Sequence, residues 1–575
     1  MRVPALLMLL SAAAAIQYRY GSTAVVPAQD AVDFVSVAQR MIREGVAPTI
    51  RAEPVPPLFP AVVASTHAAL SRRGWIEPTS WALSAQIAAA IPLVLVIVPL
   101  YLTTARLAGT AAAVAAAGGF MVLPIIARLG ADGVSDSWHL LWVAWGVWFA
   151  VGAIAARVQN ETDATIQRAR HGVLRRFRER PLVDGASLQM LRWWCAGTCL
   201  GLALLVRAEA IVAAAVVAIA AGISLVASRR VAAVRGIDAL SLAGGMLICL
   251  IPYLAAGVNE SEALVARLRG GAAPTEDRPL NFAALADTVP APSFDLALDD
   301  GEPMMFGHKD RSYSSRFHGF WATSREFIRE FGHASGYLGL PLAIAGLAIL
   351  RRRGDPTTLH PAWAIVTGVI ALHLVTVFTF ALSNGYLSAR HFVVPVYLML
   401  PAAGVGAAAI FGAAFAPIAA LYGPHCATGT LNRSLLVVNV LFIAFMLILS
   451  HLPQPHRSQR HHRSAARIVE SLARPDDAVL DQRGWTGLYT GRKTYRFDAA
   501  EEALADPKLA FVIVERADFE APSRRGESLR AVLGNVEEAL VFEATPEAPA
   551  RDVLVFCQPG RFWLTAAHRE GFHAR

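Results

Sequence analysis

Charge is scarce in this chain. Of 575 residues, 17% are Asp, Glu, Lys or Arg, 55% are hydrophobic, and the mean hydropathy is +0.44. Soluble domains carry about 25% charged and about 45–50% apolar residues, so a purely soluble protein and a disordered chain are both excluded. Cysteine is also sparse: there are five. Cys195, Cys199 and Cys249 lie in apolar runs, Cys426 in a Gly/Pro-rich connector and Cys557 near the C-terminus. No zinc spacing and no disulfide framework can be drawn from them; Cys195 and Cys199 share a helix face and read as packing groups. No internal repeat or low-complexity tract stands out. The net charge is +8 and the pI about 9.5, but the arginines stand in short clusters beside apolar runs. That pattern belongs to membrane topology and not to nucleic-acid binding.

What is abundant is Ala/Val/Leu/Ile sequence long enough to cross a bilayer, which takes about 20 residues per helix. Candidate spans are 4–17, 79–103, 107–127, 137–156, 193–207, 210–228, 237–256, 336–350, 360–382, 392–415 and 433–452, giving about 11 crossings. Residues 4–17, with Arg2 before them, also have the build of a signal peptide. The segment 157–192 has eight Arg, no Lys and four acids, and Arg229–Arg230 and Arg351–Arg353 are basic turns. By the positive-inside rule these face the cytoplasm. Alternation then puts 18–78, 128–136, 207–209, 257–335, 383–391 and everything after 452 on the outer side. Residues 56–72 must lie along the surface as an interfacial helix. The basic run HRSQRHHR at 456–463 falls outside, so it either touches anionic lipid or phosphate, or marks a miscount near 416–432.

The expected organisation is a mostly α, polytopic membrane domain over 1–452, with outer loops 18–78 and 257–335, followed by a soluble α/β domain over 453–575. In the latter, RSAARIVESL reads as a helix with Ala465, Ile468, Val469 and Leu472 on one face. AVLD, AFVIVE, ALVFEA and DVLVFC read as short buried strands.

Four polar sites fall on the outer side. In QDAVDFVSVAQRMIREG (29–45), Phe34, Val37, Ala38 and Met41 repeat at helical spacing. Asp30 and Asp33 there are either an N-cap and a capping-box partner or carboxylates facing a cavity. In GADGVSDSW (130–138), Asp132, Ser135 and Asp136 lie between two spans. Ser135 or Asp136 either caps the next helix or serves function, because ionisable groups near membrane depth are costly. In GLALLVRAEAIV (201–212), Arg207 and Glu209 form either a snorkelling hairpin tip or an anion site. Arg390 and His391 sit at the mouth of a span, as interfacial anchors or as phosphate ligands; Lys309 and Arg311 in the long loop are candidates of the same kind. Carboxylates and cations on one face suit transfer from a phosphate leaving group to a hydroxyl: a carboxylate is the base, and cations offset the developing charge.

From about 18 to 415 the chain resembles the polyprenyl-phosphate-sugar-dependent glycosyltransferases of the C-type (GT-C) fold. That superfamily includes protein O-mannosyltransferases and the aminoarabinose transferases of lipid A. The similarity rests on Asp30 with Phe34, Ala38, Met41 and Gly45; on Pro57-Leu58-Phe59-Pro60; on Ser135-Asp136 after Pro124; on Gly201 to Glu209 against a GLALLTRPE pattern; and on Arg390-His391 with Pro395. Val206 and Ala208 replace the Thr and Pro of the pattern, and Pro395 comes one place late. LYTGRK at 488–493 is also similar to members with a C-terminal outer domain.

The resemblance implies an inverting glycosyltransferase. Asp30 is the expected general base. Asp136 would orient the acceptor, the helix or a metal, and Arg207, Arg390, His391 and Lys309 would hold the donor phosphate. Asp33, Asp132 and Glu209 are further candidates. It implies a retained first span at 4–17, because the catalytic loop follows one. The implied partners are a polyprenyl-phosphate sugar donor, a protein, lipid or polysaccharide acceptor, and membrane lipid, with no nucleic acid. Some members use a divalent metal, but no ligand spacing here marks one. The expected location is a bacterial inner membrane, with site and C-terminal domain extracytoplasmic; the Ala- and Arg-rich composition fits a GC-rich genome. The rivals are a transporter or flippase, and a non-catalytic GT-C-like subunit.

Overall fold

The computed structural model describes residues 2–24, 26–52, 55–75, 79–170, 183–226, 232–255, 315–352, 356–384, 387–421, 460–481, 483–496, 499–520, 540–543 and 553–557. The first helices are α1 (Arg2–Thr23), α2 (Gln29–Glu44), α3 (Val46–Ala52), α4 (Leu58–Ser71), α5 (Thr79–Leu95) and α6 (Ile97–Ala108). There follow α7 (Thr110–Val122), α8 (Pro124–Asp132), α9 (Asp136–Arg170), α10 (Val183–Val206), α11 (Ala210–Val226) and α12 (Ala232–Ala255). Beyond these come the helices Ser315–Ala334, Gly339–Arg352, Pro356–Asn384 and Val393–Leu421, the last entered through a 3-10 turn, Ala389–Phe392.

Among the described residues, seven helices are long and apolar enough to cross a membrane, or nine if each of two bent pairs is one span. The expected count was about 11. The stretch 107–127 is not a straight span: α7 and α8 meet at 57°. Pro124 opens α8, and Leu123 before it is extended (φ −65°, ψ 121°), as the residue preceding a proline must be. The expected loop 257–335 ends in helix, Ser315–Ala334, which turns by 80° into Gly339–Arg352. Gly336 and Tyr337 take positive φ at that corner. The apolar part of α11 is too short to count as a span. The expected span 433–452 lies outside the described residues.

The bundle core is built largely from Ala, Val and Leu of α1, α6 to α10 and the last long helix. Small residues let backbones touch. A Cβ on Gly346 would collide with the carbonyl oxygen of Ala402, and one on Gly197 with that of Leu242. In lipid, association rests on such close packing because the hydrophobic drive between helices is absent.

The C-terminal unit is a five-stranded sheet of order β2-β1-β3-β5-β4. Its strands are β1 (Ala478–Asp481), β2 (Thr494–Tyr495), β3 (Leu509–Glu515), β4 (Leu540–Glu543) and β5 (Val553–Cys557). β1, β2 and β3 run parallel; β5 is antiparallel to β3 with Phe511 opposite Cys557 and Glu515 opposite Val553. Side chains alternate between faces, as the pleat requires. Val479, Phe511, Ile513, Val553 and Val555 pack beneath the helix Arg460–Leu472 through Ala465 and Val469. Leu480, Val512, Val514, Leu554 and Phe556 face Ala503 and Phe519. All four strands expected from sequence form; β2 is additional.

A third core joins the two parts. Val35 and Ala38 of α2, Phe59 and Val63 of α4, and Trp81 of α5 pack with Ala466, Trp485, Leu488 and Tyr489 of the C-terminal unit. Phe34 meets Phe59 edge-on at 4.9 Å, and His67 stacks on Trp81 at 3.6 Å. The amphipathic α2 is thus covered on its apolar side by protein.

Candidate functional site

The site begins at the first turn of α2. Ala28, not Asp30, stands at the N-cap, and no side chain caps the helix. The Ala28 N–H instead donates to the Asp132 carbonyl at the end of α8, at 3.0 Å. This corrects the N-cap and capping-box alternative for Asp30 and Asp33: the chain enters α2 two residues too early for Asp30 to cap it. Asp30 is released outward. Its Oδ2 pairs with Nη2 of Arg390 at 2.6 Å, while the side chain stays 48% exposed, open to an incoming group.

Arg390 sits in the 3-10 turn that starts the last long helix. The Ser388 N–H donates to His391 Nδ1 at 3.1 Å and fixes the ring. Across the cavity, Arg207 occupies the tight turn between α10 and α11, its N–H bonded to the Ala203 carbonyl at 2.9 Å. It donates from Nη1 to Asp136 Oδ1 at 2.7 Å, and from Nε and Nη2 to Glu209 at 3.1 and 2.7 Å. Asp136 is buried at the start of α9, reached through the left-handed Gly133. Burial alone would weaken the charge of Arg207. The carboxylates of Asp136 and Glu209 outweigh it and raise its pKa. Burial likewise works against Glu209, and the Arg207 charge and hydrogen bonds outweigh it, holding that carboxyl well below its usual range.

These groups line a cavity of about 80 Å³. Asp136, His139, Arg207, Glu209, His373, Arg390 and His391 supply its polar wall; Phe380, Val393 and Val394 belong to its apolar one. Two buried atoms there have no hydrogen-bond partner, Asp136 Oδ2 and His139 Nε2. Such groups are costly unless something is bound to them. His373 Nε2 lies 3.2 Å from the His391 carbonyl.

Of the residues expected from sequence, the structure brings together Asp30, Asp136, Arg207, Glu209, Arg390 and His391. It places Asp33 elsewhere: Oδ1 of Asp33 accepts from Nη1 of Arg496 at 2.5 Å, in the C-terminal unit. Asp132 meets the site through its backbone carbonyl and is absent from the cavity wall. Lys309 and Arg311 lie outside the described residues. His139 and His373 were missed. Both were detectable: His139 follows Asp136 by three residues, on the same helix face, and His373 is an ionisable residue inside an apolar span. Among the described residues no group of three or more His, Cys, Asp and Glu is placed to hold a metal ion. Asp136 and Glu209 are both engaged by Arg207.

A second cavity of about 440 Å³ lies where the two bent helix pairs break. Its wall includes Leu9, Met121, Leu123, Pro124, Gly336 and Leu342, and is almost wholly apolar.

Comparison with family models and with curated proteins found no match. Solved structures do match. ArnT from Cupriavidus metallidurans bound to undecaprenyl phosphate superposes with a TM-score of 0.52 at 11% identity, covering 96% of this chain and 98% of that one. The apo form of ArnT gives 0.52 at 12% identity, covering 96% and 97%. The oligosaccharyltransferase of Archaeoglobus fulgidus, in its apo form, gives 0.46 at 14% identity, covering 92% and 71%. The mostly helical membrane bundle with a small C-terminal sheet is the GT-C fold, shared with ArnT over nearly the full length of both chains.

Proposed function

We propose that this protein is an integral-membrane glycosyltransferase. It moves a monosaccharide from a polyprenyl phosphate to an acceptor hydroxyl at the outer face of the membrane, with inversion. The observation that carries this is the pairing of Asp30 with Arg390 at 2.6 Å, beside a cavity that Arg207 and three histidines also line. A half-exposed carboxylate beside two arginines is a base next to an anion site.

Asp30 takes the proton of the acceptor O–H. The acceptor oxygen bonds to the anomeric carbon from the face opposite the phosphate, and the carbon–oxygen bond to phosphate breaks with its electron pair going to the phosphate oxygen. Arg390 and Arg207 offset the negative charge that collects there; donors fixed in advance are worth most at such a point. Asp136 and Glu209 hold the Arg207 guanidinium in one orientation. The apolar cavity of about 440 Å³ suits a lipid chain, and ligand sites commonly span about 300–1,000 Å³. The undecaprenyl phosphate in the ArnT structure supports a lipid-phosphate donor.

Transfer from a panel of radiolabelled undecaprenyl-phosphate sugars, by wild type and Asp30→Asn at equal protein levels, tests this. Loss of about 10²–10⁴-fold in the variant is expected for a missing general base. Equal transfer removes Asp30 from the chemistry. Absence of transfer from every donor by wild type, with undecaprenyl phosphate still bound, favours a lipid transporter.

A further inference from the structure

Asp33 has the same character as Asp30 and lies one helical turn further on, yet the chemistry above leaves it unused. Its partner is 463 residues away: Arg496 donates from Nη1 to Asp33 Oδ1 at 2.5 Å. A second arginine of the C-terminal unit reaches the other neighbour of Asp30. Arg483 donates from Nη1 to Gln29 Oε1 at 3.1 Å. Arg483 is itself locked, with Nε and Nη2 on the two oxygens of Glu515 at 2.7 and 3.2 Å. Glu515 is held in turn by His462 Nε2 at 3.3 Å. Arg483 and Thr486 are tied back to the end of β1: the buried Asp481 accepts from their N–H groups at 2.9 and 2.7 Å. Gly484, at φ +74°, brings its backbone so close that a Cβ there would lie 3.2 Å from Val32 Cγ1.

We propose that the C-terminal unit positions the catalytic base: Arg483 and Arg496 are positioning residues that grip the start of α2 at Gln29 and Asp33, on either side of Asp30. The proposal rests on Asp30 being the base. Stability is a poor explanation for the grip. The Asp33 and Arg496 side chains are 47% and 34% exposed, and exposed pairs contribute only about 0–1 kcal/mol. Placement is the better one. α2 has no side-chain cap, and uncapped first turns leave their N–H groups unsatisfied. Asp30 sits in that turn, and its carboxylate must meet a hydroxyl at hydrogen-bond distance. A misplacement of about 1 Å costs about 10²-fold in rate. Three ties hold the start of the helix around that turn: the Ala28 bond to Asp132, the Gln29 bond to Arg483 and, just beyond the turn, the Asp33 pair with Arg496. Two of them come from the C-terminal unit.

The test uses the full chain in lipid nanodiscs. The variants are Arg496→Ala, Arg483→Ala, Arg496→Lys, and the swap of Asp33→Arg with Arg496→Asp. Three measurements are made on each: amide hydrogen exchange over residues 29–35, binding of undecaprenyl phosphate, and transfer from the radiolabelled undecaprenyl-phosphate sugar used by wild type. Both alanine variants are expected to raise exchange in 29–35 and to lower kcat about tenfold or more. Undecaprenyl phosphate binding and the donor KM stay within about twofold. Arg496→Lys and the charge swap restore both exchange and kcat. Unchanged exchange in both alanine variants overturns the proposal, and so does raised exchange with unchanged kcat while Asp30→Asn is inactive. An active Asp30→Asn instead overturns the assignment of the base, and exchange still reports whether the grip exists. If Arg483→Ala fails to fold, the Arg496 series and the swap decide alone.

Discussion

Replacing Arg207 by Met is expected to be among the most damaging single substitutions in the bundle, for a reason that can be divided between its two partners. Arg207 makes three charge-assisted hydrogen bonds, one to Asp136 and two to Glu209. The partners differ in exposure: the Asp136 side chain is 7% exposed and that of Glu209 is 42%. Without Arg207, Glu209 recovers water, whereas Asp136 keeps a charge in a buried place with Oδ2 already unpartnered. Breaking one side of a buried pair costs about 3–5 kcal/mol. Nearly all of that is assigned to Asp136. Adding Asp136→Asn to Arg207→Met removes the stranded charge and should recover about half of the loss or more, while adding Glu209→Gln should recover little. Thermal melts of the detergent-purified protein, followed by tryptophan fluorescence, give the ranking: Arg207→Met with Glu209→Gln close to Arg207→Met alone, and Arg207→Met with Asp136→Asn clearly above both. A melt of Arg207→Met that matches wild type, or a rescue by Glu209→Gln and not by Asp136→Asn, refutes the division.

Three further outcomes are expected. Burial opposes the charge of Glu515, but the hydrogen bonds from His462 and Arg483 prevail and hold its carboxyl at about 2, against 4.5 when unperturbed. That contribution, about 3 kcal/mol, is complete above pH about 4.5 and is lost as pH falls towards 2; Glu515→Gln should therefore be less stable at neutral pH and show a flatter acid limb in melts of the full chain, and an unaltered limb would count against it. His139→Leu removes the unpartnered Nε2 at similar volume, so the melting temperature should hold or rise while undecaprenyl phosphate binds about tenfold more weakly; a lower melting temperature with unchanged binding would assign His139 to packing alone. Gly346→Leu forces side-chain atoms onto the Ala402 backbone and should destabilise by about 1–3 kcal/mol or more, seen as a lowered melting temperature; an unchanged one would mean the two helices slide apart freely.

Much of this architecture could be read in the chain because lipid imposes a simple rule. Apolar runs had to be helices, and the strands of the C-terminal unit showed as short β-branched runs between polar segments. The bends could not be read in the same way. Pro124 marks one, but a proline inside an apolar run need not divide it into two separate spans, as Pro92 within Ser80–Ala108 shows. The helix Ser315–Ala334 was hidden for a different reason: Arg316, His318, Arg325 and Glu326 give it the polarity of a loop. At the site, charged residues in apolar surroundings could be found one by one, which is why Asp30, Asp136, Arg207 and Arg390 were identifiable. Their pairing could not. The spacing from Asp30 to Phe34 and Gly45 singles out Asp30 only through the resemblance; which arginine each carboxylate faces, Arg390 for Asp30 and Arg496 for Asp33, is decided by residues more than 350 positions further on.

That separation has a bearing on how the protein is made. Gln29 and the arginine that holds it are 454 residues apart, and chains are synthesised at about 5–20 residues per second. For roughly 20–90 seconds after α2 leaves the ribosome, neither Arg483 nor Trp485 exists to cover it. Val35 and Ala38 must wait against Phe59, Val63 and Trp81, without the residues of the C-terminal unit that complete this core. The proposed site is therefore unfinished until the C-terminal unit has been made. A nascent protein halted before about residue 480 would hold most of its bundle and still lack part of the support for its proposed base, so synthesis of the C-terminal unit acts as a late assembly step.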